Sequence, residues 1–283
     1  MERSKDVNQS LNKVKRKKKL LTTILFMLLR IYILVCIAVY LFQGKLIFFP
    51  QKLNENSPTI ASHKDEEITI ELDGVKLHGW LINQGNERLL IYYGGNAEEV
   101  SSSIIDLADI DKCTILALNY RGYGKSEGSP SQKALFNDAI EVFDQITAKL
   151  NILPERVILL GRSLGSGVAV HVACQRNISK LILTTPFDSV RNIAKKMLPI
   201  FPVGLLIRHP FDSVSIVDKI KAPCLMFLAE NDQVIPLKNS MNLANHFTAP
   251  LDTITIKNAG HNNIQIYGLY ISAINDFIDN DIL

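Results

Sequence analysis

Between residues 67 and 279 the sequence alternates short aliphatic or β-branched runs with longer helix-like stretches, and this alternation restricts the fold more than any other feature. Glu67–Leu72 and Val75–Ile82 follow the two-residue period of strands and are joined by Asp73-Gly74, a hairpin turn pair. Further strand-like runs stand at 89–93, 114–118, 157–160, 181–183, 224–228 and, shorter, 254–256. Helix-like stretches fall at about 98–110, 132–150, 164–175, 237–247 and 266–279. A hairpin followed by strand–helix units predicts an α/β fold, a mostly parallel sheet with helices on both faces. In open sheets of this kind chemistry collects at the carboxyl ends of the strands, so a real site should draw its residues from the segments just after these runs. Residues 187–221 break the alternation with Pro and aliphatic residues. They read equally as connecting helices or as a small lid whose apolar surface suits an acyl or lipid-like substrate.

The first part of the chain has a different character. Residues 1–19 carry eight Lys/Arg and two acids, residues 20–43 carry Arg30 alone, and residues 44–283 carry 22 Lys/Arg against 26 Asp/Glu. The net charge of +3 therefore comes from the tail, and a nucleic-acid partner for the body loses its main support. Leu20–Phe42 is 23 residues long, enough for a helix to cross a hydrocarbon layer of ~30 Å. Lys13 and the run Lys15–Lys19 precede it, which predicts a signal-anchor at 20–43 with a cytoplasmic N-terminus and the body on the other side. A cleaved signal peptide would have a shorter apolar core and a small-residue cleavage site, and neither is present. Arg30 is read as snorkelling toward the cytoplasmic headgroups; an interhelical contact or an in-plane helix is the other reading. The connector 45–50 either lies on the membrane surface or packs on the body at 44–283. Four cysteines, at 36, 113, 174 and 224, lack disulfide or zinc spacing and are expected to be free and apolar in role.

Gly161-Arg162-Ser163-Leu164-Gly165 directly follows the run 157–160 and opens a helix-like stretch. A serine on so sharp a turn needs small neighbours, and the helix start directs backbone N–H groups at developing negative charge. Ser163 is thus a candidate nucleophile. Of six histidines, His261 alone follows the last strand-like run, in Ala259-Gly260-His261; His63, His78, His171, His209 and His246 read as packing or surface residues. His261 is the expected base and Asp232, in the loop after 224–228, the expected acid orienting it, with Glu230 as the alternative. The order Ser, Asp, His along the chain fits this arrangement. An acyl-transfer site also needs two oxyanion donors: the backbone N–H of Leu164, and that of Asn96 in Gly94-Gly95-Asn96-Ala97. Gly124-Lys125-Ser126 looks like the end of a phosphate loop, but the first glycine required is missing because position 119 is Asn.

With these residues in view the chain resembles the α/β-hydrolase superfamily, in the branch of the membrane-anchored "α/β-hydrolase domain-containing 13" proteins and their bacterial relatives. The resemblance runs from the anchor and Leu46-Ile47-Phe48-Phe49-Pro50 through Gly95-Asn96-Ala97, Asn119–Ser126, Gly161–Gly165 and Asp232 with Val234-Ile235-Pro236, to Gly260-His261. It implies a Ser163–His261–Asp232 triad. Family members usually carry His-Gly-Asn-Ala at the oxyanion loop, and here Gly94 replaces the His. The expected reaction is cleavage of an ester or thioester through an acyl-enzyme, without metal or organic cofactor. The expected substrate is a small or lipid-like acyl compound or an acylated protein, with membrane lipid contacted through 20–43. Peptide or amide cleavage by the same triad, and a non-catalytic membrane interaction protein on a hydrolase fold, are the alternatives.

Overall fold

The computed structural model describes residues 2–280. Met1 of the expected tail and residues 281–283 of the body lie outside the described residues. Helix α1 (Glu2–Ile47) is continuous, so the tail, the apolar segment and the first residues of the connector form one rod. Its part Lys15–Ile47 is long and apolar enough to cross a membrane. The chain leaves α1 at Phe48, which is buried and meets the ring of His209 edge-on at 5.2 Å. The connector therefore packs on the body rather than standing free.

Eight strands form one sheet: β1 (Glu67–Leu72), β2 (Val75–Ile82), β3 (Arg88–Tyr93), β4 (Cys113–Leu118), β5 (Val157–Arg162), β6 (Lys180–Thr184), β7 (Cys224–Ala229) and β8 (Leu251–Ile256). Their spatial order is β1-β2-β4-β3-β5-β6-β7-β8, antiparallel at β1–β2 and β2–β4 and parallel from β4 onward. Asp73 and Gly74 both take positive φ, 46° and 73°, the backbone of a tight hairpin turn with the right twist. The remaining helices are α2 (Pro58–Ser62), α3 (Ile104–Ala108), α4 (Gln132–Leu150), α5 (Leu164–Ala173), α6 (Val190–Met197), α7 (Val203–Leu206), α8 (Leu237–Ala244) and α9 (Gly268–Asp279). Helix α4 has the bounds expected from the sequence, and its ends explain why. The Ser131 hydroxyl accepts the Ala134 N–H at the start, and Asn151 in the left-handed region (φ 52°) stops it.

Two apolar cores lie on the two faces of the sheet. Alternate residues of β3 feed each: Leu89, Ile91 and Tyr93 pack with α4, α5 and α8, while Leu90 and Tyr92 pack with α2, α3 and α9. Strands buried on both faces are what the near-continuous aliphatic runs demand. The expected helix at 98–110 shrinks to a 3₁₀ turn, Val100–Ser103, followed by α3. The carboxylates of Glu98 and Glu99 are drawn inward and bind the turn's own polar groups, so regular helix starts only after them. All four cysteines are free, with Cys113 and Cys224 buried.

Residues 187–221 form α6, α7 and two short 3₁₀ turns. Tyr32 of α1 donates its hydroxyl to the Ile200 carbonyl, and Gln43 bonds both the Leu206 carbonyl and the Arg208 N–H. The segment is thus fastened along α1, and none of its residues lines the cleft at Ser163. It lies as a flank beside the apolar helix.

Candidate active site

Four loops at the carboxyl ends of β3, β5, β7 and β8 converge. Ser163 sits between β5 and α5 with φ 49° and ψ −117°, a conformation that side chains rarely take and that costs on the order of 1–3 kcal/mol. Its neighbours show why glycine flanks it. A Cβ on Gly165 would stand 2.0 Å from the Tyr93 carbonyl oxygen, and one on Gly161 would stand 2.5 Å from the Gly165 carbonyl oxygen. Only bare backbone lets strand, turn and helix approach this closely.

His261 Nε2 lies 2.8 Å from Ser163 Oγ, and His261 Nδ1 lies 2.7 Å from Asp232 Oδ2. The other oxygen of Asp232 accepts the N–H groups of Val234 (2.8 Å) and Ile235 (2.7 Å), which fixes the carboxylate's orientation. His261 and the Asp232 side chain are buried, so the bond between them is shielded, while Ser163 is half-buried at the cleft. Glu230, the alternative acid, turns elsewhere: its carboxylate accepts the Asn258 N–H and steadies the loop that carries His261. The other described histidines bond away from Ser163. His78 reaches Glu67, His171 stacks on Phe136 at 3.9 Å, and His246 meets the Asn242 carbonyl.

The loop Gly94–Ala97, expected to receive an oxyanion, has its own supports, most of which are not legible in the sequence. Among the described residues neither the Leu164 nor the Asn96 backbone N–H has a protein acceptor, and both residues border the turn at Ser163. The Asn96 side chain is committed elsewhere. It donates to the Ile47 carbonyl at the end of α1 and accepts from the Phe49 N–H and the Tyr123 hydroxyl. Tyr120 donates its hydroxyl to the Gly94 carbonyl at 2.9 Å. The loop Asn119–Ser126, whose glycine-lysine-serine resembles a phosphate loop, is therefore a buttress for Gly94–Ala97. Within it Gly124 (φ 55°) leaves room for the Asn119 amide, which bonds Glu99.

Beneath Gly95 lies a buried ion pair. Glu98 accepts from the Gly95 N–H (2.6 Å), Tyr92 Oη (2.7 Å), Ser103 Oγ (2.7 Å) and Arg162 Nη1 (2.9 Å). Burial opposes the charge on Arg162, and the Glu98 carboxylate with its neighbours more than compensates, so the guanidinium pKa is raised. Burial, and then the Glu98 charge, push the Tyr92 phenol well above its usual range. The pair joins the loop Gly94–Ala97 to β5 at Arg162, the residue before Ser163. It also explains Gly94: a Cβ there would meet Val100 at 3.2 Å and Glu98 at 3.3 Å, space already taken by the pair's support. The cleft above, about 790 Å³, is lined mainly by polar residues such as Lys52, Asn54, Glu99 and Asn262. No group of His, Cys, Asp and Glu among the described residues could hold a metal ion.

Residues 87–205 match the family model described as alpha/beta hydrolase fold. Solved structures agree over most of both chains. The esterase Pf2001 of Pyrococcus furiosus superposes with a TM-score of 0.62 at 19% identity, covering 81% of this chain and 95% of that one. An alpha-beta hydrolase from Vibrio vulnificus gives 0.67 at 19% identity, covering 80% and 87%. The chain has the α/β-hydrolase fold. Among its relatives, human alpha/beta hydrolase domain-containing protein 17B is 28% identical over 199 residues, 69% of this chain and 67% of that one. An uncharacterised protein of Mycobacterium tuberculosis is 26% identical over 245 residues, 83% of this chain and 87% of that one. In this fold the turn at Ser163, the loop of Asp232 and the loop of His261 follow β5, β7 and β8 in chain order.

Proposed function

We propose that this α/β-hydrolase is a membrane-anchored serine hydrolase that cleaves an ester or thioester through an acyl-enzyme. The observation that carries the reading is the relay Ser163 Oγ–His261 Nε2 at 2.8 Å and His261 Nδ1–Asp232 at 2.7 Å. Ser163 Oγ attacks the acyl carbonyl while His261 takes its proton. The Leu164 and Asn96 N–H groups receive the oxyanion. Collapse expels the alcohol or thiol, to which His261 returns the proton. Water then enters, is deprotonated by His261, and releases the acid. Asp232 holds the imidazole with Nε2 toward Ser163 and stabilises the imidazolium.

The anchor reading is supported by the length and apolarity of Lys15–Ile47 and by the Lys/Arg run ahead of it. It places the N-terminus in the cytoplasm and the hydrolase body across the membrane. Full-length protein in detergent should be assayed on p-nitrophenyl esters, an acyl thioester and a peptide amide. Turnover of the first two with Ser163→Ala inactive is expected. Turnover of the amide alone would move the reading to a peptidase.

A further inference from the structure

A second cavity lies away from the Ser163 cleft. It measures about 280 Å³ and is walled by α1, through Val39, Leu46 and Ile47, and by the flank, through Ala194, Phe201 and Val203. Ligand pockets for small molecules begin near ~300 Å³, so this volume suits part of one hydrocarbon chain. Its lining is apolar apart from Gln43.

The flank itself has the chemistry of a hydrocarbon environment. Met197–Ile207 contains no polar side chain. Carbonyls of the segment or of the turn before it accept the N–H groups of Leu198, Phe201, Val203, Leu205, Leu206 and Ile207, while Pro199 and Pro202 have none. Among the described residues the N–H groups of Ile200 and Gly204 have no such acceptor; non-helical backbone at membrane depth is tolerated where protein buries it, and α1 covers one side of this segment. Met197, Ile200 and Leu205 are 73%, 72% and 86% exposed, a surface that water would disfavour.

The position along α1 decides what covers that surface. The flank reaches Tyr32, which bonds the Ile200 carbonyl and stacks on Phe201 at 5.9 Å. Tyr32 is ten residues before Phe42, so it stands ~15 Å into a hydrocarbon layer of ~30 Å. Charges mark the rims: Lys195 and Lys196 precede the apolar segment, and Arg208 follows it, its guanidinium over the Tyr40 ring. Long basic side chains at such points reach the headgroups.

We propose that residues 197–207 are immersed in the bilayer beside the anchor helix, and that the cavity between them binds the acyl chain of a membrane-resident ester, admitted sideways from the hydrocarbon. Ile47 stands between this cavity and Asn96, which lines the cleft at Ser163. Its side chain lines the cavity, and its carbonyl accepts from the Asn96 side chain at the oxyanion loop. The chain is thereby held where its carbonyl end can approach Ser163, while the polar cleft receives the headgroup or alcohol side. The acyl role rests on the hydrolase reading above; the immersion does not.

The test uses full-length protein in vesicles of phosphatidylcholine carrying a mid-chain diazirine. After irradiation, adducts on peptides covering 193–207 as well as on α1 are expected; adducts confined to residues 20–38 would overturn the immersion. For the cavity, Ala194→Phe is compared with wild type on hexadecanoyl and butanoyl p-nitrophenyl esters. The ratio of kcat/KM, long over short, should fall about tenfold, since a hydrophobic pocket discriminates on that scale. An unchanged ratio in a variant whose Ser163 still reacts with a fluorophosphonate would overturn the acyl site and leave the hydrolase reading intact. A wild type that neither reacts with the fluorophosphonate nor cleaves either ester would defeat the hydrolase reading and the acyl role together, and the adduct map would still decide immersion.

Discussion

Removing the Glu98 carboxylate should damage stability and catalysis through one event. Glu98→Ala deletes four hydrogen bonds, to Gly95, Tyr92, Ser103 and Arg162, and strands a buried guanidinium. Breaking a buried pair by truncating one partner costs about 3–5 kcal/mol. At ~2–4 °C per kcal/mol for a body of this size, Tm should drop by roughly 6–20 °C. The Gly95 N–H also loses its anchor, so the Asn96 amide drifts from the oxyanion position. Loss of one such donor costs about 10²–10³ in kcat. Glu98→Gln keeps the shape and one acceptor and should fall between wild type and Glu98→Ala on both scales. A double substitution, Glu98→Leu with Arg162→Met, should recover much of the Tm, because no charge is then stranded, but not the kcat. Differential scanning fluorimetry and ester kinetics read the two scales separately. Glu98→Ala within about 1 kcal/mol of wild type, or a double variant less stable than either single one, would refute the argument that this pair is a buried, coupled support.

Asp232→Asn should leave Tm nearly unchanged and lower kcat by ~10⁴, the scale on which a misoriented tautomer acts in a comparable triad, as ester kinetics on full-length protein would show. Gly165→Ala places a methyl 2.0 Å from the Tyr93 carbonyl oxygen, so the variant should lose cooperative unfolding by circular dichroism while Gly204→Ala, whose Cβ meets nothing nearer than 4.0 Å, retains it. Burial pushes the phenols of Tyr123 and Tyr270 up to about 12 from 10.0. Their folded-state pKa is raised, so the stability they contribute is complete below pH 10 and is lost as pH climbs toward 12. Burial also raises the Cys113 and Cys174 thiols from 9.0 to about 12 and about 11, so Tm should begin to fall near pH 9 and fall further beyond 10, less steeply there in Tyr270→Phe.

The mostly parallel sheet, the hairpin and the places of Ser163, Asp232 and His261 just after strands were legible because each is written locally. Asp73-Gly74 dictates its own turn, and each site residue stands a few positions after an aliphatic run. The supports were not legible, since they join residues far apart. Glu98 and Arg162 are 64 positions from one another, and singly each reads as a solvated loop charge. The Asn96 side chain gave no sign that it ties the end of α1 to the oxyanion loop, because its partners lie 49 residues earlier at Ile47 and 27 later at Tyr123. The segment 187–221 was legible as apolar but not as to its place. Its aliphatic content could face a cleft or a bilayer, and only the bonds to Tyr32 and Gln43 assign it to α1.

Activation of Ser163 as a nucleophile by His261 is tested most directly by covalent labelling. Full-length protein should be treated with a fluorophosphonate, digested and mapped by mass spectrometry. One adduct is expected, on Ser163, abolished in Ser163→Ala and slowed by orders of magnitude in His261→Ala. An adduct on another serine, or none on folded wild type, would contradict it.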